Sequence, residues 1–266
     1  MSNGVPGTSC GPDVTDWFVN IMNNAKADKR VLEIKRRLEG AQRVGRRVGY
    51  DSQAVLEGGL ARKVLVAERN AGNPPRTADA TAQIQAADPN NQFGRATLAA
   101  SIPLPFAGAP EHFMLAAIRG ASLIWKSLVE TGAVFDFKNT VLVRPALAGA
   151  GCPPMCPGDP TITVGGGCFE NDLPGNIFYA YISRFVGFSL TAVHLGSQFA
   201  ELQPNSSSNW DTKEDTAALN LGFGLPQGTL ARVDLLSAIQ APSAGVRVRA
   251  CTPCSVNFNP VVTLQP

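Results

Sequence analysis

Histidine is scarce in this chain, whose 266 residues include only His112 and His194. Histidine ordinarily titrates near neutral pH, so ribonucleases that work without a metal generally use it as both acid and base. His112 falls in the first turn of a predicted helix and is expected at the surface. Only His194 then remains as a histidine candidate for chemistry, and the carboxylates become the main alternative.

Long apolar runs are also lacking. The longest one, residues 177–195, is interrupted by Arg184 and by small polar residues. A membrane-spanning helix needs about 20 predominantly apolar residues, so no membrane span is expected. The N-terminal stretch MSNGVPGTSCGPD has no basic segment followed by an apolar one, and we expect no classical signal peptide. The composition, 44% hydrophobic and 17% charged, is typical of a globular protein.

Charge is sparse overall but concentrated in one segment. The net charge is +2, whereas residues 26–47 contain nine Lys or Arg against three acids. A block of this kind favours an anionic partner such as nucleic acid or another anionic polymer. The alternative is the solvated face of a helix.

Six cysteines lie in Gly/Pro-rich stretches and near the termini: Cys10, Cys152, Cys156, Cys168, Cys251 and Cys254. Their even number predicts three disulfides and an oxidising destination. Zinc is an alternative, because CPPMC and CTPC together offer four thiolates. No histidine accompanies them, however, and two cysteines would be left over; free thiols are the third alternative. We predict no metal site and no cofactor.

Helical spacing dominates the pattern of apolar residues. It predicts helices over residues 15–24, 27–48, 53–69, 110–132, 176–201, 214–222 and 229–239. Gly58 and Gly59 weaken the third of these helices. The helix over 110–132 is expected to bury Phe113, Ala117, Leu123, Ile124 and Leu128.

The remaining segments predict extended structure and loops. Residues 70–94 are polar and are expected to form a surface excursion, and two prolines argue against a regular helix over 95–109. Alternating and β-branched residues predict a strand or extended segment over 134–145. Residues 146–175 are rich in Gly, Pro and Cys and are expected to form a loop.

We therefore predict a mainly α fold with a few short strands (α+β), in one compact domain with a buried central helix and long Gly/Pro/Cys-rich loops. Within the single domain 1–266, the expected parts are a flexible N-terminus (1–12), a helical part (13–145), the Cys/Gly/Pro loop (146–175), and the central helix with the C-terminal part (176–266).

The predicted helix over 176–201 has a stripe of small and polar residues. At steps of three or four it carries Asn176, Ala180, Ser183, Gly187, Thr191, His194 and Gln198. Such a stripe either lets another backbone approach closely or faces a cleft. Asp172 and Tyr179 lie near its N-terminal end, where free N–H groups favour anions.

Four separated segments occur in an order typical of a known family. They are GPDVT at 11–15, FDFK at 135–138, Asp172 followed after LPG by NIFYAY at 176–181, and DTKEDTAALNLG at 211–222. Together they resemble the bacterial polymorphic toxin type 44 domain and cover most of the chain. Phe178 stands where the family usually has a histidine, and Ala180 replaces a glycine. Thr212 and Lys213 replace an Asp and a Pro of the acidic turn.

The resemblance implies an effector domain delivered into or between bacterial cells by a route that needs no leader. The implied partners are a secretion-system carrier and a cognate immunity protein. If the cysteines form disulfides, the working place is extracytoplasmic, in the periplasm, where peptidoglycan is an abundant anionic polymer.

A glycan-strand hydrolase needs two carboxylates that flank the scissile bond. Asp172 with Asp215 or Asp136 meets this need by residue type. The expected substrate-binding residues are Asn176, Tyr179, Lys138, His194 and Asp211. Peptidoglycan hydrolysis is therefore the favoured interpretation.

Two other functions stay open. A toxin nuclease, either an RNase or a metal-dependent DNase, would use Asp172, Asp211 and Asp215 as ligands, and the basic segment would steer nucleic acid. The second open function is that of a binding or structural domain without catalytic activity, since Phe178 replaces the family histidine. The acids also have structural interpretations, as helix caps at 211 and 215 and as a surface ion pair of Asp136 with Lys138.

Overall fold

A computed structural model of the chain describes residues 9–70, 82, 85–86, 88–101, 110–137, 161–170, 172–201, 213–246, 249–250, 252–254 and 262–266. The described part is mainly helical with a few short strands, as the sequence predicts. Its helices are α1 (Thr15–Ala25), α2 (Lys29–Val48), α3 (Ser52–Asn70), α4 (Gln92–Ser101), α5 (Pro110–Val129), α6 (Leu173–Val186), α7 (Leu190–Glu201), α8 (Lys213–Gly224) and α9 (Arg232–Gln240). Its strands are β1 (Ser9–Pro12), β2 (Thr161–Val164), β3 (Gly167–Glu170), β4 (Arg249–Ala250) and β5 (Thr252–Cys254).

The chain divides into two compact units. Unit 1 comprises Met1–Lys29, Ser127–Ile182 and Lys213–Pro266, and unit 2 comprises Arg30–Lys126 and Ser183–Thr212. The organisation as one compact domain stays a prediction. None of the described helices combines the length and the apolar character that crossing a membrane requires.

Unit 1 contains two small sheets. In one, β1 pairs in parallel with β5, and in the other β3 lies between β2 and β4 with antiparallel pairing on both sides. The β2–β3 hairpin lies where the sequence analysis placed a loop, so that expectation is wrong for residues 161–170. Gly165 and Gly166, both at positive φ, form its two-residue turn. A Gly-Gly pair after the β-branched run TITV is a recognisable hairpin signal.

The GPDVT segment connects the hairpin to the start of α1. A Cβ at Gly11 would overlap the backbone of Thr161 in β2, so only glycine fits there. The Asp13 carboxylate accepts hydrogen bonds from the backbone N–H and the hydroxyl of Thr15. The Thr15 oxygen in turn accepts one from the N–H of Gly165. This segment therefore positions the hairpin on the N-terminus of α1.

Aromatic rings fill the space between α1, α6 and the turn after α5. Phe178 is fully buried, with its ring centroid 4.8 Å from that of Phe135 and 4.6 Å from that of Phe137. Trp17 of α1 meets Phe137 edge-on at 5.3 Å. Aromatic pairs at these separations contribute to stability beyond their burial.

The strand expected over 134–145 is absent from its described part, residues 134–137. Residues 134 and 135 lie in a turn that follows Gly132, which has φ +83° and lies three residues beyond the end of α5 at Val129. The N–H of Gly132 donates to the Asp136 carboxylate at 2.7 Å, and the N–H of Phe135 donates to the carbonyl of Leu128. Local hydrogen bonds thus prevail over the alternating pattern, while residues 138–145 lie outside the described part.

The predicted helix over 176–201 is two helices, which corrects the single polar stripe. Gly187 has φ +103° and ends α6, and Ser189 begins α7 by accepting the N–H of Ala192 at 3.0 Å. A glycine at positive φ followed by a serine cap is the usual sequence of signals between consecutive helices. The stripe is therefore interrupted at Gly187 and does not run along one continuous helix.

The buried face of α5 differs from the expected one. Phe113 and Leu123 are 62% and 58% exposed, so their predicted burial is wrong. Leu128 is buried as predicted. The buried side chains are those of Met114, Ile118, Ala121, Trp125 and Leu128. These residues recur at steps of three and four. Met114, Ile118 and Trp125 each follow a predicted residue by one position, whereas Leu128 is common to both sets.

Unit 2 brings α4 close to α3. Gly58 and Gly59, which were expected only to weaken α3, are the points of closest approach. A Cβ at Gly58 would lie 2.6 Å from the Asp88 carboxylate, and one at Gly59 would lie 3.0 Å from the ring of Phe93. Asp88 also accepts the backbone N–H groups of Gln92 and Phe93 and so caps α4. This cap explains a regular helix where none was expected.

The helix α8 lies against α6 at one glycine in unit 1. A Cβ at Gly222 would overlap the carbonyl oxygen of Ile177, which is part of the α6 backbone and cannot rotate away. Gly224, two residues on in the same helix, has open space where a Cβ would lie. The contact therefore requires glycine at 222 and not at 224.

We expect Gly222→Ala to lower the free energy of unfolding by about 3 kcal/mol, because two helix backbones must separate. Gly224→Ala, the matched control, should be neutral or stabilising by up to about 1 kcal/mol, since alanine favours helix. Urea denaturation followed by circular dichroism measures both. Equal effects of the two substitutions would contradict the close contact.

Two glutamates of unit 2 have pKa values shifted in opposite directions. Burial raises the pKa of Glu57, the nearby charges of Asp51 and Asp88 add to the shift, and a hydrogen bond from the Ser189 hydroxyl opposes it. Hydrogen bonds from Arg36 and Arg37 lower the pKa of Glu33 to about 2.

These pKa shifts predict that replacing the two glutamates by glutamine changes the stability of the protein in opposite directions. At pH 7 Glu57→Gln should stabilise unit 2, because the folded protein then no longer buries a charge. At pH values where wild-type Glu57 is protonated, this gain should disappear. Glu33→Gln should instead cost less than about 1 kcal/mol at pH 7, and its cost should fade as the pH falls towards 2. Thermal unfolding across this pH range provides the test, and two changes of the same sign at pH 7 would contradict it.

Candidate functional site

A small open cleft with a cavity volume of about 20 Å³ lies in unit 1 beside the hairpin. It is lined by Phe169, Asp172, Leu173, Asn176, Glu214, Asp215, Ala218 and Val246. Three of these side chains are acidic and one is an amide, and the other four are apolar. The cleft thus combines several hydrogen-bonding groups with an apolar wall, as small-molecule sites commonly do.

The acids of the cleft lie at the starts of two helices. Asp172 directly precedes α6, whereas Glu214 and Asp215 lie in the first turn of α8. The first backbone N–H groups of a helix have no partner within the helix, and the helix dipole is positive there. Both helix starts therefore favour negative charge at this cleft, from its own carboxylates or from a ligand.

Asn176 joins the two helix starts. Its side-chain amide donates a hydrogen bond of 2.8 Å to Oδ1 of Asp215, and its backbone N–H donates to the carbonyl of Asp172 at 3.1 Å. The contact of Gly222 with Ile177 holds α8 against α6 next to this bond. The Asp215 carboxylate is therefore fixed in orientation relative to α6.

The structure thus brings together three of the predicted site residues. Asp172 and Asp215, predicted as catalytic, and Asn176, predicted to bind substrate, all line the cleft. The sequence alone places them in two remote segments, so their convergence comes from the packing of α8 on α6.

Other predicted site residues lie elsewhere. Asp136 lies in the turn after α5, where it accepts the N–H of Gly132, and it is not among the residues that line the cleft. Tyr179 is half-buried on α6 and also does not line the cleft. His194 belongs to α7 in unit 2. Lys138 and Asp211 lie outside the described residues.

Glu214 is the acid that the sequence analysis missed. It lines the cleft next to Asp215, and both belong to the first turn of α8. Acids in a first helical turn are commonly explained by the helix dipole alone. In the sequence, Glu214 could have been found from its position next to Asp215, a predicted catalytic acid. In the structure, both acids lie at the start of α8, and the start of α6 lines the same cleft.

The segments that carry the family resemblance have clear structural roles in unit 1. Gly11 permits the approach of β2, and Gly222 permits the approach of α6. Phe178, which stands at the position of the family histidine, is fully buried against Phe135 and Phe137. A side chain at position 178 therefore points into the aromatic core in this fold.

The cysteine prediction is corrected at one position. Cys168 on β3 is a buried thiol, so it does not take part in the three predicted disulfides. The side chains of the other five cysteines lie outside the described part, and their disulfides or zinc ligation stay predictions. Within the described residues, no group of three or more His, Cys, Asp or Glu is placed to hold a metal ion.

The first residue of the basic segment has an internal role. Lys26 lies in unit 1 and donates from Nζ to the hydroxyl of the buried Tyr181 at 2.9 Å and to the carbonyl of Gly228. Burial lowers the pKa of Lys26 and raises the pKa of Tyr181 to about 12. This lysine therefore contributes to packing and not to a basic surface.

Within α2 the charges are partly neutralised. Glu33 accepts hydrogen bonds from Nε of Arg36 and Nε of Arg37, both at 2.7 Å. Such pairs are typical of a solvated helix face, the alternative interpretation of the segment. Arg43, Arg46 and Arg47, near the C-terminal end of α2, form no such pair within the described residues.

Comparison with models of protein families, with curated proteins and with solved structures found no significant match. The resemblance to the type 44 family therefore rests on the four sequence segments alone.

The burial of Phe178 predicts the outcome of restoring the family histidine. Phe178→His should lower the free energy of unfolding by about 2 to 4 kcal/mol, because the core loses apolar volume and gains a polar ring. The loss should be larger at pH 5 than at pH 8, because the unfolded chain can protonate the ring and the core disfavours its charge. Urea denaturation at both pH values provides the test.

Phe178→Leu is the control, since it removes volume without adding a titratable group. Its stability loss should not change between the two pH values. A Phe178→His variant as stable as wild type would contradict the aromatic packing around this residue.

Proposed function

We propose that this chain is a secreted antibacterial effector domain that hydrolyses the glycan strand of peptidoglycan with paired carboxylates. The observation that carries the proposal is the convergence of Asp172 and Asp215 on one cleft, from segments remote in sequence. Glycoside hydrolysis requires two carboxyl groups on opposite sides of the scissile bond. The apolar wall of the cleft suits the carbon face of a sugar ring.

The two acids have different surroundings, which supports different roles. Asn176 holds Asp215 in one orientation. A fixed carboxylate suits the group that must meet the anomeric carbon, or an attacking water, along a defined line. Asp172 then donates the proton to the leaving oxygen. Glu214, on the same helical turn as Asp215, binds a sugar hydroxyl or takes over proton transfer.

The delivery and location of the protein rest on the resemblance to the type 44 family. A secretion-system carrier would take the domain out of the producing cell, and a cognate immunity protein would protect that cell. Peptidoglycan then meets the domain in the periplasm of the target cell. These partners and this compartment are parts of the proposal.

A nuclease is the second candidate function, and one observation favours it. The C-terminal end of α2 exposes Arg43, Arg46 and Arg47, which would attract a phosphate backbone. In that case the carboxylates of the same cleft would act on a phosphodiester bond.

The test is incubation of the purified protein with peptidoglycan sacculi, with mass spectrometry of the soluble products. Wild type should release disaccharide-peptides, and the masses of their sugar ends identify the bond that is cut. Asp172→Asn and Asp215→Asn should each lower the rate at least about 100-fold, because general acid–base catalysis contributes that much. Glu214→Gln should have a smaller effect.

Asp16→Asn is the matched control. Asp16 is an exposed acid of unit 1 that pairs with Arg232 and does not line the cleft. Its variant should keep the wild-type rate, and the melting temperatures of all variants should stay close to that of wild type. An equal loss of rate in the control, or no release by wild type, would reject wall hydrolysis. Assays on RNA and DNA with added divalent cations would then test the nuclease.

A further inference from the structure

We propose that a surface of unit 2, formed by Arg43, Arg46, Arg47, Tyr50, Arg95 and Phe113, binds single-stranded nucleic acid. We call this surface the arginine face. It goes beyond the proposed function, because all six residues belong to unit 2 and none of them lines the acidic cleft.

The two units carry charge of opposite sign. Unit 2 contains fifteen Lys or Arg against ten Asp or Glu, whereas unit 1 contains eight against eleven. The net charge of +2 for the whole chain conceals this separation. A polyanion is therefore attracted to unit 2.

The arginines near the C-terminal end of α2 are available for a ligand. Arg43, Arg46 and Arg47 are exposed and follow one another at helical spacing, so they project from neighbouring positions on one side. Within the described part of the chain they make no hydrogen bond or ion pair. Arg36 and Arg37, by contrast, share the carboxylate of Glu33.

Close packing at Gly45 brings Tyr50 and the first turns of α5 to this end of α2. A Cβ at Gly45 would lie 2.8 Å from the carbonyl oxygen of Tyr50 and 3.1 Å from the sulfur of Met114. Phe113 is the neighbour of Met114 on α5 and is 62% exposed. The guanidinium of Arg95 lies 5.9 Å from the centre of the Tyr50 ring.

Three acids lie near the arginine face. Glu39 is an exposed residue of α2, one helical turn before Arg43. Asp51 follows Tyr50, and one of its oxygens already accepts the backbone N–H of Gln53. Glu111 lies in the first turn of α5, where the helix dipole favours its charge. Four arginines against these three acids leave the face positive.

The chemistry of the face favours a single strand. The guanidinium group is planar and matches the geometry of phosphate oxygens, and arginine prevails here over lysine. An exposed aromatic ring can stack on an unpaired base, whereas the bases of a duplex are already stacked. A surface that contacts phosphates through the arginines and stacks a base on Phe113 would bind single strands with little preference for base sequence.

The test is fluorescence anisotropy with a labelled oligothymidylate of about 20 nucleotides, a length that exceeds one binding site. Wild type should bind, and its affinity should fall steeply between about 50 and 200 mM salt. The triple variant R43Q/R46Q/R47Q should bind at least about tenfold more weakly. Its slope of log K against log salt should be shallower by about 2, since each single-strand phosphate contact contributes about 0.7.

A separate variant, Phe113→Ala, tests the contribution of the aromatic ring to binding, and Arg36→Gln is the control for the arginine substitutions. Phe113→Ala should weaken binding about tenfold with an unchanged salt slope, because stacking releases no counterions. Arg36→Gln removes an exposed arginine of the same helix that Glu33 already neutralises, and it should change the affinity by less than about twofold. All measurements use the Asp172→Asn background, so that any hydrolytic activity of the cleft cannot shorten the probe.

Several outcomes would overturn the proposal. One is the absence of binding at low salt, and another is binding that the triple variant retains. Inorganic polyphosphate or a DNA duplex that competes as strongly as the single strand, with no effect of Phe113→Ala, would make the face a general anion surface. If circular dichroism shows that the triple variant is unfolded, Arg46→Gln alone should lower the salt slope by about 0.7. An unchanged salt slope for Arg46→Gln would show that Arg46 does not contact a phosphate and would overturn the proposal.

Discussion

The contact between Gly222 of α8 and the carbonyl of Ile177 in α6 is the constraint on which the cleft depends. It removes the side-chain layer that usually keeps two helices apart, so both helix starts reach the same place. Only then can the amide of Asn176 meet the carboxylate of Asp215 at 2.8 Å. Any side chain at 222 would increase the separation of the helices. Because hydrogen bonds weaken steeply with distance and misalignment, that shift would break the bond between Asn176 and Asp215.

The other side of unit 1 supports this contact by the same means. Gly11 lets the first strand lie against β2, and Asp13 fixes the hydroxyl of Thr15, which then accepts the N–H of the hairpin turn. The hairpin leads to Phe169 and Asp172 at the edge of the cleft. The position of the acids thus depends on two glycine contacts and a chain of partly buried hydrogen bonds. Breaking one of these bonds costs free energy, because it leaves a polar group without its partner.

Much of the fold was predictable from the sequence, and the site only in part. Helices with clear spacing and end signals, such as α1 and α2, are confirmed because local interactions determine them. The β2–β3 hairpin and the break at Gly187 were missed, although both carry local glycine signals. The exposure of Phe113 and the burial of Phe178 could not be predicted, because each depends on which other element packs alongside. Asp172 and Asp215 were identified as residue types, whereas their proximity is a property of tertiary packing.

The separation of charge between the units follows from what each unit needs to fold. In unit 1 several acids, among them Asp16, Glu214 and Asp215, lie in first helical turns, where the dipole favours negative charge. In unit 2 the long helix α2 buries Val31, Ile34 and Leu38 on one side, and arginines keep the opposite side in water. Helices α3 and α4 approach each other at Gly58 and Gly59. Requirements for folding alone thus explain an acidic cleft and a basic surface on separate units, and they leave the exposed Phe113 unexplained. A largely exposed aromatic ring on a helix that packs against the arginine-bearing end of α2 is the feature for which a ligand gives a physical reason.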